Sequence, residues 1–256
     1  MAPRREDFRG EWPAVPRPAS EAAAYELLCH GRVVSCDLIP WGSNYTFLVA
    51  LSHGDQPELL AVYKPRRGEA PLWDFPDGTL YRRERAAFLA ARALGWDFIP
   101  LTVIRDGPQG IGSMQLFVET EGHPLRPQFT AAHRQELARI ALFDLVANNA
   151  DRKAGHCLLG VDGRVWGIDH GLTFHTQPKL RTVLWEFYRE AIPPPLLADL
   201  RGLLENRARR TALAAELEEL LTPAEVRAFF ARAERVLEAG RYPSLDSYRV
   251  RPWPFF

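Results

Sequence analysis

Lysine is nearly missing from this chain of 256 residues. Of 32 Lys and Arg side chains, only Lys64, Lys153 and Lys179 are lysines. Where arginine is so strongly preferred, a retained lysine marks a position that needs a compact ammonium rather than a planar guanidinium. Cysteine is scarce as well. Cys29, Cys36 and Cys157 are odd in number and lack paired spacing, which excludes a disulfide framework and predicts reduced thiols in a cytoplasmic protein. The 32 acidic residues balance the 32 basic ones, with a pI near 7.1. That balance excludes the bulk electrostatics of a nucleic-acid binder or a polybasic membrane anchor. No apolar run is long enough for a transmembrane helix, and the opening Met1 to Asp7 does not read as a signal peptide. Asparagine occurs four times, at 44, 148, 149 and 206, and two of these stand side by side.

What is present divides into a β-rich half and a helical half. Residues 1–19, rich in proline and charge, read as a flexible tail. Ser20 before an Ala-Leu run to Leu28 predicts a short capped helix. Strands are expected over Arg32–Ile39, Tyr45–Leu51 and Leu59–Lys64, separated by turn chemistry and forming an antiparallel meander. Apolar spacing at Ala86, Phe88, Leu89, Ala93 and Leu94 predicts a helix over about 82–95. Strands near Leu101–Ile104 and Ser113–Val118 would complete a five-stranded sheet. Pro124–Pro127 reads as a linker. Thr130 can cap a helix to about Ala147, with Leu137, Ile140, Ala141, Asp144 and Leu145 on one stripe. A hairpin turning at Val161 to Arg164 follows, and after Thr182 the chain reads as nearly all helix, with a start signal at Thr222-Pro223-Ala224-Glu225. The expected fold class is α+β, in two lobes over 20–122 and 123–256.

The chemistry concentrates between Ala147 and Phe174. There Asn148-Asn149-Ala150-Asp151-Arg152-Lys153 is followed by His156 and then by Gly167-Ile168-Asp169-His170-Gly171. An aspartate in a polar loop, a hairpin and a second aspartate before a glycine is how kinase-fold phosphotransferases build a site. Asp151 is the candidate base, with Arg152 and Lys153 available to neutralise transferring phosphate, and Asp169 is the candidate metal ligand. Asn148 and Asn149 can alternatively brace the loop through backbone hydrogen bonds. Gly42-Ser43-Asn44, between two strands, could offer amides and a hydroxyl to phosphates. His156, His170, His175 and Cys157 invite a zinc reading. It is rejected because adjacent strand residues point to opposite faces and the others lack ligand spacing.

The segment resembles the catalytic region of the phosphatidylinositol 3-/4-kinase superfamily, especially type II phosphatidylinositol 4-kinases and HipA-like kinases. The residues that match are Asn149, Asp151, Arg152, Ile168, Asp169 and Gly171, and the likeness extends over roughly residues 35–190. It implies an atypical protein-kinase-like bilobal fold with a β-rich N-lobe and a mainly helical C-lobe. It also implies that Lys64 contacts ATP phosphates, that Glu84 orients Lys64, and that adenine lies against Gln115, Leu116, Phe117 and Val118. One position departs from the family: His156 stands where a metal-binding asparagine is usual.

Together these readings predict an ATP-dependent phosphotransferase using Mg or Mn. Its acceptor would be a protein, small-molecule or lipid hydroxyl, with neutral charge weighing against lipid. Two alternatives stay open: a nucleotide-binding pseudokinase, because imidazole suits magnesium poorly, and an enzyme that transfers AMP.

Overall fold

A computed structural model describes residues 18–40, 44–54, 58–120 and 128–244. It divides into two units. Unit 1 comprises residues up to 85 and 100–117, and unit 2 comprises 86–99 and 118 onward.

In unit 1, helix α1 (Glu21–His30) starts at Ser20, whose Oγ accepts from the Ala23 amide at 3.1 Å. Strands β1 (Arg32–Ile39), β2 (Thr46–Ser52) and β3 (Leu59–Pro65) run antiparallel in sequence order. Helix α2 (Leu80–Ala93) follows, and the division between units passes within it after Arg85. Strands β4 (Thr102–Gly107) and β5 (Gly110–Leu116) then close the sheet in the order β1-β2-β3-β5-β4. Leu48, Ala50 and Leu60 form a buried cluster on this sheet, flanked by Val34, Ile39 and Phe117. Arg105 on β4 donates to the carbonyls of Leu28 and Gly31, satisfying groups that the end of α1 leaves without helical partners.

In unit 2, Thr130 opens a 3₁₀ turn (Ala131–His133) that leads into α3 (Arg134–Ala147). Nine of the fourteen α3 residues are buried, so the helix has almost no solvated face. Strands β6 (Cys157–Leu159) and β7 (Val165–Gly167) pair as a hairpin. Helices α4 (Pro194–Glu205), α5 (Arg207–Glu218) and α6 (Pro223–Ala239) complete the unit. The Thr222 side chain accepts from the Glu225 amide, and Glu225 returns the bond, which sets the start of α6.

Two expectations are corrected. The segment after Thr182 is irregular up to Pro193 apart from a 3₁₀ turn at Trp185–Phe187, because prolines 193–195 cannot donate backward into a preceding helix; Pro193 instead sits at the N-cap of α4, and Pro194 and Pro195 open it. Leu145, expected on the buried stripe of α3, is only half-buried, whereas Asp144 is fully buried. The expected linker Pro124–Pro127 lies outside the described residues.

Candidate active site

Within unit 1, Lys64 and Glu84 form an ion pair. Lys64, near the end of β3, donates from Nζ to Glu84 Oε1 on α2. Glu84 is almost wholly buried, while Lys64 keeps 23% of its side chain exposed. The two other nearby glutamates are committed elsewhere. Glu58 accepts from Ser52 and from the amides of His53 and Gly54, holding a turn. Glu69 accepts from the Tyr81 amide at 2.9 Å, in the first turn of α2.

The other residues of unit 1 expected at a nucleotide have these surroundings. Asn44 Oδ1 accepts from the Ala70 amide at 2.7 Å, so that side chain ties two connections together rather than facing a phosphate. Gly42 and Ser43 lie outside the described residues. Gln115 sits in the ladder between β3 and β4, and its side chain donates to Thr102 Oγ1. The amides of Leu116 and Phe117 donate to Leu101 O and Leu60 O, at 2.8 and 3.0 Å. The Leu116 and Phe117 amides and one N–H of the Gln115 side chain are therefore engaged inside the sheet. Val118 lies just past β5, as the first residue of that part of unit 2.

Unit 2 gathers the catalytic segment around a buried charge. Asp144, fully buried on α3, accepts from Arg152 Nε and Nη2 at 2.8 and 2.9 Å and from Asn149 Nδ2 at 2.8 Å. Arg152 Nη1 donates to the carbonyls of His156 and Ile168, and Nη2 also reaches His170 Nε2 at 2.7 Å. These contacts use all five N–H groups of a guanidinium. Arg152 is fully buried. Burial opposes its charge, but the Asp144 carboxylate outweighs this and raises its pKa, so it stays a cation. The role of neutralising transferring phosphate is thus withdrawn from Arg152. It instead locks the loop, the helix and the strand end before Asp169 to one another.

The rest of the loop is braced in the same way. Asn148 caps α3 in the left-handed region, with φ of 58°, and its side chain bonds His175 O, Gln177 O and the Lys179 amide. Asn149 Oδ1 accepts from the Asp151 amide at 2.9 Å. Asn149 is fully buried, and that bond ties its side chain to the Asp151 backbone.

Asp151 itself points to a different environment. Lys153 Nζ lies 3.1 Å from its Oδ2. Burial pushes the Asp151 carboxyl up to about 6, with Lys153 pulling down and the Asp169 charge adding to the rise. Asp169 follows β7 with φ of 59°, a left-handed conformation that aspartate tolerates better than most side chains. Before it, Gly167 lies against Phe98, where a Cβ would come within 2.9 Å of the ring. His156 joins the two aspartates. Its Nδ1 lies 2.8 Å from the Asp151 carbonyl, which can only accept, so the proton sits on Nδ1. The Lys153 amide is farther from the same nitrogen, at 3.3 Å. Nε2 is 3.2 Å from Asp169 Oδ2.

The zinc reading fails on charge. His170 Nε2 faces the Arg152 guanidinium, and burial pushes the Cys157 thiol up to about 12, so neither presents a ligand to a cation. Among the described residues, no group of three or more His, Cys, Asp or Glu side chains could hold a metal ion by itself. Sequence reasoning gave Asp144 only a place on a helical stripe and His170 only a place in the rejected zinc reading, whereas both bond Arg152. The available signal for Asp144 was a carboxylate inside an apolar helical stripe, which has to find a buried cation.

Comparison with known proteins gives a consistent fold. No protein-family model matches the chain. It is 38% identical over 267 residues to Protein Rv2133c of Mycobacterium tuberculosis, covering 91% of this chain and 95% of that one. It is 33% identical over 92 residues to Phosphatidylinositol 4-kinase gamma 4 of Oryza sativa subsp. japonica, which is 34% of this chain and 16% of that protein. Among solved structures, the Golgi casein kinase with Mn/ADP bound superposes with a TM-score of 0.58 at 15% identity, covering 86% of this chain and 76% of that one. The Helicobacter pylori proinflammatory kinase CtkA gives a TM-score of 0.50 at 9% identity, over 84% and 94% of the two chains. The fold is kinase-like, with a β-rich unit and a mainly helical one. Among the described residues no helix is long and apolar enough to cross a membrane.

Proposed function

We propose, from the premise that this chain belongs to the family of the mycobacterial Protein Rv2133c, that it is an ATP-dependent phosphotransferase acting on a hydroxyl group. The observation that carries this reading is the Asp151–His156–Asp169 arrangement. A three-quarters-buried carboxylate with a raised pKa is held by a braced loop and joined through one imidazole to a second carboxylate. A carboxyl tuned toward 6 suits a group that orients an acceptor hydroxyl and takes its proton.

The residues fit a divalent cation. With its proton on Nδ1, neutral His156 directs the Nε2 lone pair toward Asp169, so two acceptor atoms lie 3.2 Å apart. Adjacent ligands of an octahedral cation bound at about 2.1 Å are about 3 Å apart. Asp169 and His156 would hold the cation, Mg or Mn, which when bound offsets phosphate charge. Lys64, oriented by Glu84, would engage phosphate oxygens of ATP, and Lys153 would support the charge near Asp151. The acceptor is a protein or small-molecule hydroxyl in preference to a lipid, given the zero net charge. The rice kinase likeness supports a place near the phosphatidylinositol 3-/4-kinase-like group.

A second reading rests on the same histidine. Once protonated, His156 forms an ion pair with Asp169 that competes with a cation, and the protein would then bind nucleotide without turnover. Incubation with ATP and either Mg or Mn, followed by product mass analysis, separates the readings. Transfer of the γ-phosphate is expected, with Lys64→Ala and Lys64→Arg lowering turnover roughly a hundredfold or more while the melting temperature holds. An AMP adduct, or bound nucleotide with no product in either metal, overturns the phosphotransfer reading.

A further inference from the structure

We propose that unit 2 carries a second small-molecule site, on the α6 side of the segment 176–180, which takes an amphiphilic anion: an apolar body ending in one phosphate or carboxylate. The cavity there has a volume of about 410 Å³, within the range of small-molecule sites. Neither Asp151, His156 nor Asp169 lines it, so it stands apart from the phosphotransfer reading.

Its shape follows from one face of α6. Ala228, Ala231, Arg232, Arg235, Val236 and Ala239 recur at helical spacing and all line the cavity. The three alanines leave open the volume that larger side chains would fill against Leu145 and Leu180. The wall is also fixed in place. The Tyr242 hydroxyl donates to Ala138 O at 2.7 Å, and Arg232 donates to Val146 O and His175 O at 2.8 and 3.0 Å.

The charge is one-sided. Arg232, Arg235 and Arg241 line the cavity, and among the described residues no aspartate or glutamate does. Glu234, next to Arg235 in sequence, pairs instead with Arg210 at 2.8 Å. Arg235 and Arg241 are exposed, so cationic groups capable of paired hydrogen bonds to an oxyanion accompany a largely apolar lining. A purely apolar ligand would leave these charges unused, and a bare inorganic anion would leave the hollow unfilled.

The test is titration calorimetry of the full chain with octyl phosphate, octanoate, 1-octanol and inorganic phosphate, each below micellar concentration. Saturable binding of octyl phosphate or octanoate is expected, at least about tenfold tighter than either 1-octanol or inorganic phosphate, and the stronger of the two names the head group. Ala231→Phe, which fills the cavity, and the exposed Arg235→Gln should each weaken that binding about tenfold or more. Should Ala231→Phe lower the melting temperature, Arg235→Gln and Arg241→Gln decide alone. Absence of saturable binding, equal binding of 1-octanol, or indifference to both arginine variants overturns the proposal. So does uptake of octyl phosphate by a chain ending at Ser244 but not by the full chain, which would assign the cavity to residues 245–256. No ATP turnover enters these measurements, so their outcome is independent of the phosphotransfer reading.

Discussion

Asp151 and Asp169 are the same residue type placed in different surroundings, and the difference predicts separable phenotypes. Asp151 is three-quarters buried beside Lys153, whereas Asp169 keeps 47% of its side chain exposed and faces His156. Asp169→Asn removes a charged ligand and should weaken ATP binding in the presence of magnesium about tenfold or more. Asp151→Asn should leave that affinity nearly unchanged and lower turnover instead. Calorimetry that found equal losses of affinity would reverse the assignment. Asp151 also has a stability signature in chelator. Its folded pKa is raised to about 6 from 3.8, so its ionisation costs nothing below pH 4, begins to cost as pH rises, and costs most above pH 6. Metal-free Asp151→Asn should therefore be more stable than the native chain at pH 8, by roughly 1–3 kcal/mol, with the gain vanishing toward pH 4. His156 decides metal choice. An imidazole nitrogen suits manganese better than magnesium, so His156→Asn should shift preference toward magnesium. Identical metal preference in the two proteins would reduce His156 to the hydrogen bond it makes with the Asp151 carbonyl.

At the scale of elements, the Arg152–Asp144 pair links parts of unit 2 that are separate in sequence. It binds α3 to the catalytic loop, and through the carbonyls of His156 and Ile168 it holds both ends of the β6–β7 hairpin. Both partners are fully buried, so removing either leaves an uncompensated charge in the interior. Asp144→Ala and Arg152→Ala should each cost about 3–5 kcal/mol in denaturant unfolding. The double variant should cost less than their sum, because the second substitution removes the charge stranded by the first. Native stability in Arg152→Ala, with nucleotide affinity lost, would return Arg152 to a phosphate-contacting role. The positions that misled sequence reading are also explained at this scale. Gln115, Leu116 and Phe117 were expected at a nucleotide edge because the family resemblance implies an adenine there. They lie in or against a strand with neighbours on both sides, and the Leu116 and Phe117 amides and the Gln115 side chain bond there.

On the scale of the molecule, Cys157 reports on the integrity of unit 2. It is 1% exposed, and burial pushes its thiol up to about 12, so at pH 8 it is both shielded and neutral. A thiol reagent should modify Cys29 and Cys36, which are only partly buried, well before Cys157. The rate at Cys157 should follow unfolding of unit 2, and labelling as fast as at Cys36 would contradict the burial. Much of this architecture was legible beforehand. Strand β1 falls on the span its β-branched residues predict, and α1 and α6 begin at the Ser20 and Thr222 caps that announce them. The two aspartates flanking a hairpin could be read as well, and so could the lysine that arginine had not replaced. These signals are local: periodicity, capping and turn chemistry act within a few residues and survive without the fold. The fate of each hydrogen-bonding group is not local. Arg152 meets His170 across eighteen positions and Asp144 across eight, and that encounter turned an apparent phosphate ligand into a buried brace. Sequence alone determined which elements form and where the ionisable groups cluster. Only tertiary structure decided which of those groups satisfy one another and which remain for a substrate, because a donor engaged in the interior is no longer available outside it.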